Sequence, residues 1–167
     1  GVFANNEHLR DVTMRGEFYG SGAFSGCGNL LTFTIGNGFN DSGHLKDNYP
    51  NSTFTLNINM EKVPEGLFSG TQCIEGLVFG SGVKEIADGA FQGCNGIRKV
   101  SIPGAVQVGP RSFLNCTGLM AVTLERGCTT ESVPEDAFQG CTGIIQVVND
   151  SGQVLNEDNN IGGLYVE

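Results

Sequence analysis

One short run recurs in register along the chain and constrains the fold more than any other feature. Ala90-Phe91-Gln92-Gly93-Cys94-Asn95-Gly96-Ile97 leads to Val100-Ser101-Ile102, and Ala137-Phe138-Gln139-Gly140-Cys141-Thr142-Gly143-Ile144 leads to Val147. Ala23-Phe24-Ser25-Gly26-Cys27-Gly28-Asn29-Leu30 leads to Phe33-Thr34-Ile35, and Phe113-Leu114-Asn115-Cys116-Thr117-Gly118-Leu119 leads to Val122-Thr123-Leu124. Counted from each Phe, Cys stands at +3, an aliphatic residue at +6 and apolar residues at +9 and +11. Weaker copies start at Phe3, followed by Leu9, Val12 and Met14, and at Phe68, followed by Ile74, Leu77 and Phe79; Asn6 and Thr71 take the cysteine place. Leu45 fills the interval between Phe24 and Phe68, with Phe54 and Leu56 at +9 and +11. The anchors 3, 24, 45, 68, 91, 113 and 138 are then 21 to 25 residues apart. Self-similarity at that period means a solenoid, in which each unit buries its apolar side only against its neighbours.

The chemistry of one unit is readable. Apolar +9 and +11 alternate with polar residues, the pattern of a half-buried strand. Phe at 0 and Cys at +3 fall on one face of a single helical or 3-10 turn, and Gly at +2 or +5 permits tight bends. Val63, Ile86, Val108 and Val133 each stand five residues before a Phe and predict a second short strand or extended segment on the opposite wall. With 26 Gly, no Trp and only 16% charged residues, short strands and frequent turns fit better than a helical bundle. The regular apolar placement argues against disorder.

Ile97-x-x-Val100-x-Ile102 and Leu119-x-x-Val122-x-Leu124 resemble the leucine-rich repeat, and Ala-Phe-x-x-Cys with an Ile-Pro such as Ile102-Pro103 resembles its BspA-type class. The resemblance covers residues 1 to about 148. The pattern departs at Ala105 and Gly127, where many leucine-rich repeats carry Asn or Cys, and across the Asn-rich stretch 36–60. The resemblance implies a right-handed leucine-rich-repeat-like solenoid of about seven coils, mainly β with short helical or 3-10 turns. It also implies a secreted or cell-surface microbial protein that binds host or neighbouring-cell proteins.

A single domain is expected, with a solenoid over 1–148 and a capping segment over 149–167. Asn149-Asp150-Ser151-Gly152 is a turn signal between Gln146–Val148 and Gln153–Leu155, and a hairpin there would cover the open end of the stack. Ile161 is the alternative start of an eighth, broken unit. Phe3 starts mid-unit and Gly1 opens the chain, which predicts a processed or trimmed piece with a cut N-terminal edge.

Several chemistries find no support. Lys plus Arg is 9 and Asp plus Glu is 18, a net charge of -9 that repels nucleic acid and anionic membrane surfaces. No apolar run approaches the roughly 20 residues of a membrane span. Cys27, Cys94, Cys116 and Cys141 share one repeat position and predict a column of small, buried, reduced thiols. Zinc would need paired Cys-x-x-Cys or Cys/His sets. Cys73 stands at +5, and Cys128 lies in a loop as the most exposed thiol. His8 and His44 sit in weak repeats beside no evident nucleophile. Glu157 and Asp158 belong to a polar tail loop without calcium-loop spacing, and Gly80-Ser81-Gly82 is a bend without a phosphate-binding Lys-Ser/Thr. Asn40, Asn51, Asn115 and Asn149 match the short glycosylation pattern, which chance explains. No catalytic residue, cofactor or metal is expected, and the chain reads as non-enzymatic.

What remains is surface. The outward +10 positions are Thr13, Thr34, Thr55, Val78, Ser101, Thr123 and Val148; the +8 positions are Asp11, Thr32, Thr53, Gly76, Lys99, Ala121 and Gln146. Thr13, Thr34, Thr55, Ser101 and Thr123 form the candidate face for a protein ligand, a small, β-branched surface suited to a broad, flat partner. Strand propensity alone would also place Thr there. The expected function is an adhesion or protein-interaction module for extracellular proteins, host proteins among them. The alternative is a passive spacer that displays other domains.

Overall fold

The alternation at the end of each unit becomes one strand per coil, and the strands stack side by side. The structure, a computed structural model, describes residues 3–18, 22–41, 53–161 and 163–166. Strands β1 (Asp11–Met14), β3 (Thr32–Gly36), β5 (Phe54–Asn59), β7 (Ile74–Phe79), β9 (Lys99–Ile102), β11 (Ala121–Leu124) and β12 (Gln146–Asn149) form one seven-stranded sheet in chain order. Every pairing in it is parallel. On the opposite wall β6 (Lys62–Val63), β8 (Glu85–Ile86) and β10 (Gln107–Val108) form a second parallel sheet. Val133 continues that wall without a strand, buried, as Val108 N–H donates to Ser132 O at 2.8 Å. A third pair, β2 (Glu17–Phe18) with β4 (Asn40–Asp41), lies nearer the N-terminus.

The third edge of each coil is a turn. No helix is present among the described residues, so the expected helical turn is instead a single hydrogen bond from Cys N–H to Phe O: 3.1 Å for Cys94 to Phe91 and for Cys116 to Phe113. The residue at +2 stops it from continuing. Gly26, Gly70, Gly93 and Gly140 have φ of 69 to 75°, and Asn5 and Asn115 have φ of 59 and 57°. That left-handed conformation suits Gly and Asn and cannot extend a right-handed helix. The +5 glycines serve a different need. A Cβ on Gly96 would lie 2.2 Å from Gln72 O of the coil below, and one on Gly118 would lie 1.9 Å from Asn95 O. The turns are also tied coil to coil, with Phe68, Phe91 and Phe113 N–H donating to Ala90, Ser112 and Ala137 O at 2.7 to 2.8 Å.

The core runs between these walls. Phe68, Phe91, Phe113 and Phe138 stack with centroid spacings of 5.3, 5.2 and 4.8 Å. Those values match the strand spacing of about 4.8 Å, one ring per coil. Phe24 is equally buried and stacks on Phe3 at 5.5 Å. Each ladder thiol donates to the carbonyl of the Phe one coil earlier: Cys94 to Phe68 (3.0 Å), Cys116 to Phe91 (3.1 Å), Cys141 to Phe113 (3.0 Å) and Cys27 to Phe3 (3.0 Å). None of the six cysteines is in a disulfide, and all but Cys128 are buried.

The third coil departs from the expected register. Leu45 lies outside the described residues, as does His44. Leu56 pairs with Phe33 and Leu77, and Ile58 pairs with Ile35 and Phe79. These two, and not Phe54 and Leu56, hold the +9 and +11 places. Phe54 pairs with Ile74 across a bulge and joins the aliphatic +6 column.

At the C-terminal end the predicted hairpin is present. Leu155 N–H donates to Val147 O at 2.9 Å and Asn149 N–H to Gln153 O at 3.0 Å, laying an antiparallel segment along β12. Leu155 and Leu164 are buried against the last coil. The tail loop at Asn156–Asn159 is a hydrogen-bonded turn, in which Asn156 N–H donates to Asn159 Oδ1 at 2.6 Å.

Candidate interaction face

Strand pleating sends every second side chain of the large sheet away from the core, and coil stacking lines those side chains into rows. One row is Asp11, Thr32, Thr55, Gly76, Lys99, Ala121 and Gln146. The other holds Thr13, Thr34, Asn57 and Val78, then Ser101, Thr123 and Val148. All five candidate residues therefore share one face. Thr55 stands in the first row beside Thr32, however, and Asn57 fills the place expected for it, a direct result of the shifted third coil.

Part of this face is bonded to itself. Asn57 Nδ2 donates to Thr34 Oγ1 at 3.2 Å, Ser101 Oγ donates to Glu125 Oε1 at 2.6 Å, and Thr53 Oγ1 donates to Glu75 Oε2 at 2.6 Å. Thr32 Oγ1 donates to Asp11 Oδ1. The hydroxyls of Thr13, Thr55 and Thr123 make no side-chain hydrogen bond among the described residues.

The face is grooved rather than flat. A shallow depression of about 420 Å³ centres on Gly76, with Thr55, Glu75, Arg98 and Lys99 around it and Leu31 at its rim. The cause is local: a Cβ on Gly76 would lie 2.6 Å from Thr55 Oγ1, so the Thr55 side chain occupies the space a larger residue at 76 would need. A second groove of about 470 Å³ takes in Lys99, Ser101, Thr123, Gln146 and Val148, and a third of about 310 Å³ takes in Thr13, Arg15, Thr34 and Asn59.

Sequence reasoning missed the +7 row that borders these grooves: Leu31, Glu75, Arg98, Met120 and Ile145. Its rungs are backbone hydrogen bonds of 2.9 Å, from Met120 N–H to Arg98 O and from Ile145 N–H to Met120 O. Leu31 and Ile145 are 52% and 68% exposed. The signal was an apolar residue immediately before an outward strand position, where a polar one would cost nothing.

Among the described residues no group of three or more His, Cys, Asp or Glu is placed to hold a metal ion, and no helix is long and apolar enough to cross a membrane. His8, Glu157 and Asp158 are exposed. Burial pushes the Cys94 thiol up to about 12. Cys128, half-buried, is raised by burial and then by Glu125. These thiols are held protonated, which suits packing and not nucleophilic attack.

A family model described as a BspA-type leucine-rich repeat region matches residues 1–45 and 45–157, in six copies. Among solved structures, a leucine-rich cell-surface protein from Faecalibacterium prausnitzii A2-165 superposes over 91% of this chain and 35% of its own, with TM-score 0.54 and 18% identity. A leucine-rich-repeat protein from Bacteroides ovatus ATCC 8483 superposes over 87% of this chain and 38% of its own, with TM-score 0.54 and 24% identity. The chain thus spans little more than a third of the length of either structure. No curated protein matches it. The in-register Phe, Cys and strand columns and the matched repeats agree, and the chain belongs to the BspA-type leucine-rich-repeat family.

Proposed function

We propose that this chain is a non-enzymatic adhesion or protein-interaction module at the cell surface or in secreted form, binding extracellular protein ligands through the outward face of its large sheet. The carrying observation is that face itself. Seven parallel strands present two rows of outward positions with three shallow grooves along them. A face about 30 Å long, from seven strands at about 4.8 Å, approaches the roughly 800 Å² per partner of a standard protein interface. The repeat scaffold and the cell-surface character of one structural neighbour support this reading.

A spacer role is the second reading, and the bonds of Thr34 and Ser101 to their own neighbours favour it, because a self-satisfied surface offers less to a partner. Charged substitutions at Thr34, Thr55 and Thr123 separate the two. These side chains point away from the core, so unfolding midpoints are expected to stay near the wild-type value while binding to candidate extracellular proteins weakens. Binding that survives all three changes, or that is lost only with the fold, removes the strand face as the site. No binding by the wild-type chain leaves the spacer.

A further inference from the structure

We propose that Lys99 is the anchor of the interaction face, and that the partner it takes is a protein segment with a carboxylate next to an aliphatic side chain. The carboxylate pairs with the Lys99 ammonium, and the aliphatic group enters a slot where β7 and β9 part. The inference rests on the reading of the large sheet as the binding surface and adds the chemistry of its partner.

The slot follows from one residue. Every other pair of neighbouring strands in the large sheet is matched over four or five residues, but β7 and β9 are matched only at Gly76 and Lys99. Just past the strands, Gly80 N–H donates to Ile58 O at 2.8 Å and Glu125 N–H to Ile102 O at 2.9 Å, fastening β7 to β5 and β11 to β9. The equivalent residue after β9 is Pro103, which has no N–H to give to Phe79 O. The two strands therefore separate beyond Lys99, and the groove of about 470 Å³ at that point reaches the side chains of Leu77 and Val100 from the core columns. An apolar floor beneath an opening in the sheet face takes an aliphatic side chain and offers nothing to a polar one.

Lys99 stands at the edge of this slot without a partner of its own. Its neighbours in the outward row are Gly76 and Ala121, neither of which carries a polar side chain. Elsewhere the chain pairs its cations from coil to coil: Lys62 with Glu85 and Lys84 with Glu61, each at 2.7 Å, and Arg111 with Asp88. Among the described residues Lys99 makes no ion pair and no side-chain hydrogen bond, and it is exposed. The nearby carboxylates are engaged: Glu75 accepts from Thr53 Oγ1 and Glu125 from Ser101 Oγ, each at 2.6 Å. Arg98 adjoins Lys99 and gives a guanidinium N–H to Gly118 O at 3.2 Å, so two cations stand at the middle of the face in a chain of net charge -9. A negative partner group is attracted to this point and repelled from most of the remaining surface. Lys99 lines both this groove and the one around Gly76, so one carboxylate at Lys99 leaves room for a side chain on either side of it.

Amide chemical-shift mapping of the 167-residue chain with acetyl-Leu-Glu-Leu-amide is the test, with acetyl-Leu-Gln-Leu-amide and acetyl-Leu-Lys-Leu-amide as controls and melting run on every variant. The acidic peptide is expected to shift Gly76, Leu77, Lys99 and Ser101, and the Gln peptide to bind about threefold or more weakly, the size of an exposed ion pair. Lys99→Glu is expected to reverse the order and prefer the Lys peptide to the Glu peptide. Lys99 is exposed, so that variant keeps the fold; were it to melt early, Lys99→Gln takes its place and is expected to bind the Glu and Gln peptides equally. Equal affinity of the wild type for the Glu and Gln peptides overturns the anchor. An order unchanged in Lys99→Glu does the same, as does no binding of any peptide up to about 10 mM. If peptides without that preference still map along Thr34, Thr55 or Thr123, the sheet face stands as the binding surface without Lys99. Shifts centred on the opposite wall, at Val63 and Ile86, overturn the face and the anchor together.

Discussion

Phe91 is the side chain whose removal this architecture resists most. Its ring is fully buried, with Phe68 on one face at 5.3 Å, Phe113 on the other at 5.2 Å and Phe79 at its edge at 6.1 Å. Truncating a buried Phe to Ala costs about 3–5 kcal/mol, and the aromatic contacts, worth about 0.5–1.5 kcal/mol per pair, place Phe91→Ala in the upper half of that range. Phe138 has one stacked neighbour among the described residues, at 4.8 Å, so Phe138→Ala is expected nearer about 3 kcal/mol. Phe3, 45% exposed and stacked on Phe24, leaves less area to lose, and Phe3→Ala is expected to cost about 1–2 kcal/mol. Urea unfolding followed by far-UV circular dichroism gives all three by linear extrapolation. The order Phe91, Phe138, Phe3 is the content of the prediction. A Phe91→Ala loss below about 2 kcal/mol, or equal losses for Phe91 and Phe3, would refute a continuous core built one ring per coil. A split of the single transition into two would show coils coupled only to nearest neighbours, with the break at Phe91.

The two glycine positions separate in the same assay. Gly96→Ala forces a Cβ to within 2.2 Å of Gln72 O and is expected to cost about 2 kcal/mol or more. A Cβ on Gly93 would meet only Gly70, at an ordinary 3.9 Å, but φ is 69°, so Gly93→Ala is expected to cost about 1–2 kcal/mol and Gly93→Asn less, since Asn115 holds the equivalent place in the next coil. Cys94 links stability to alkaline pH. Burial raises its folded pKa from 9.0 to about 12, so between those values the unfolded thiol ionises while the folded one keeps its proton. Stability then falls as pH rises, by about 1.4 kcal/mol per pH unit, and is unaffected by this thiol below about pH 8. Comparing wild type with Cys94→Ala at about pH 8 and about pH 10.5 isolates the contribution; equal slopes in the two proteins would show that Cys94 titrates normally.

The parts of the fold legible in the sequence are those where one residue type answers one physical need in every coil. The Phe at 0 must fill the space between walls, the Cys at +3 must be small enough to sit beneath it, and the apolar pair at +9 and +11 must face inward. Position +2 was legible as a bend but not as left-handed backbone, a distinction that Asn5 and Asn115 make visible because Asn tolerates positive φ and lacks the freedom of Gly. That conformation ends the turn after one hydrogen bond, which is why a helical turn was expected and a β-turn is found. The thiol-to-carbonyl ladder was hidden for another reason. Cysteine reads as a small hydrophobe, and its donor role depends on a Phe carbonyl one coil away that no spacing within a unit reveals.

The third coil shows where periodicity loses its power. Phe54, Leu56 and Ile58 are apolar at every second position, so a strand there can slide by two residues and keep the same face inward. A one-residue slip would invert the strand and be forbidden; a two-residue slip inverts nothing. What decides the register is cross-strand fit. Gly76 admits Thr55 beside it because it has no Cβ, and Ile58 completes the +11 column between Ile35 and Phe79. The consequence reaches the surface: the hydroxyl row is interrupted at Asn57, and Thr55 moves to the rim of the groove around Gly76, near Glu75, Arg98 and Lys99. Of the three substitutions that test the binding face, Thr34 and Thr123 therefore probe one row and Thr55 the other. A ligand that follows a single row would separate them, losing affinity at Thr34 and Thr123 and keeping it at Thr55. A ligand seated in the central groove would be most sensitive at Thr55.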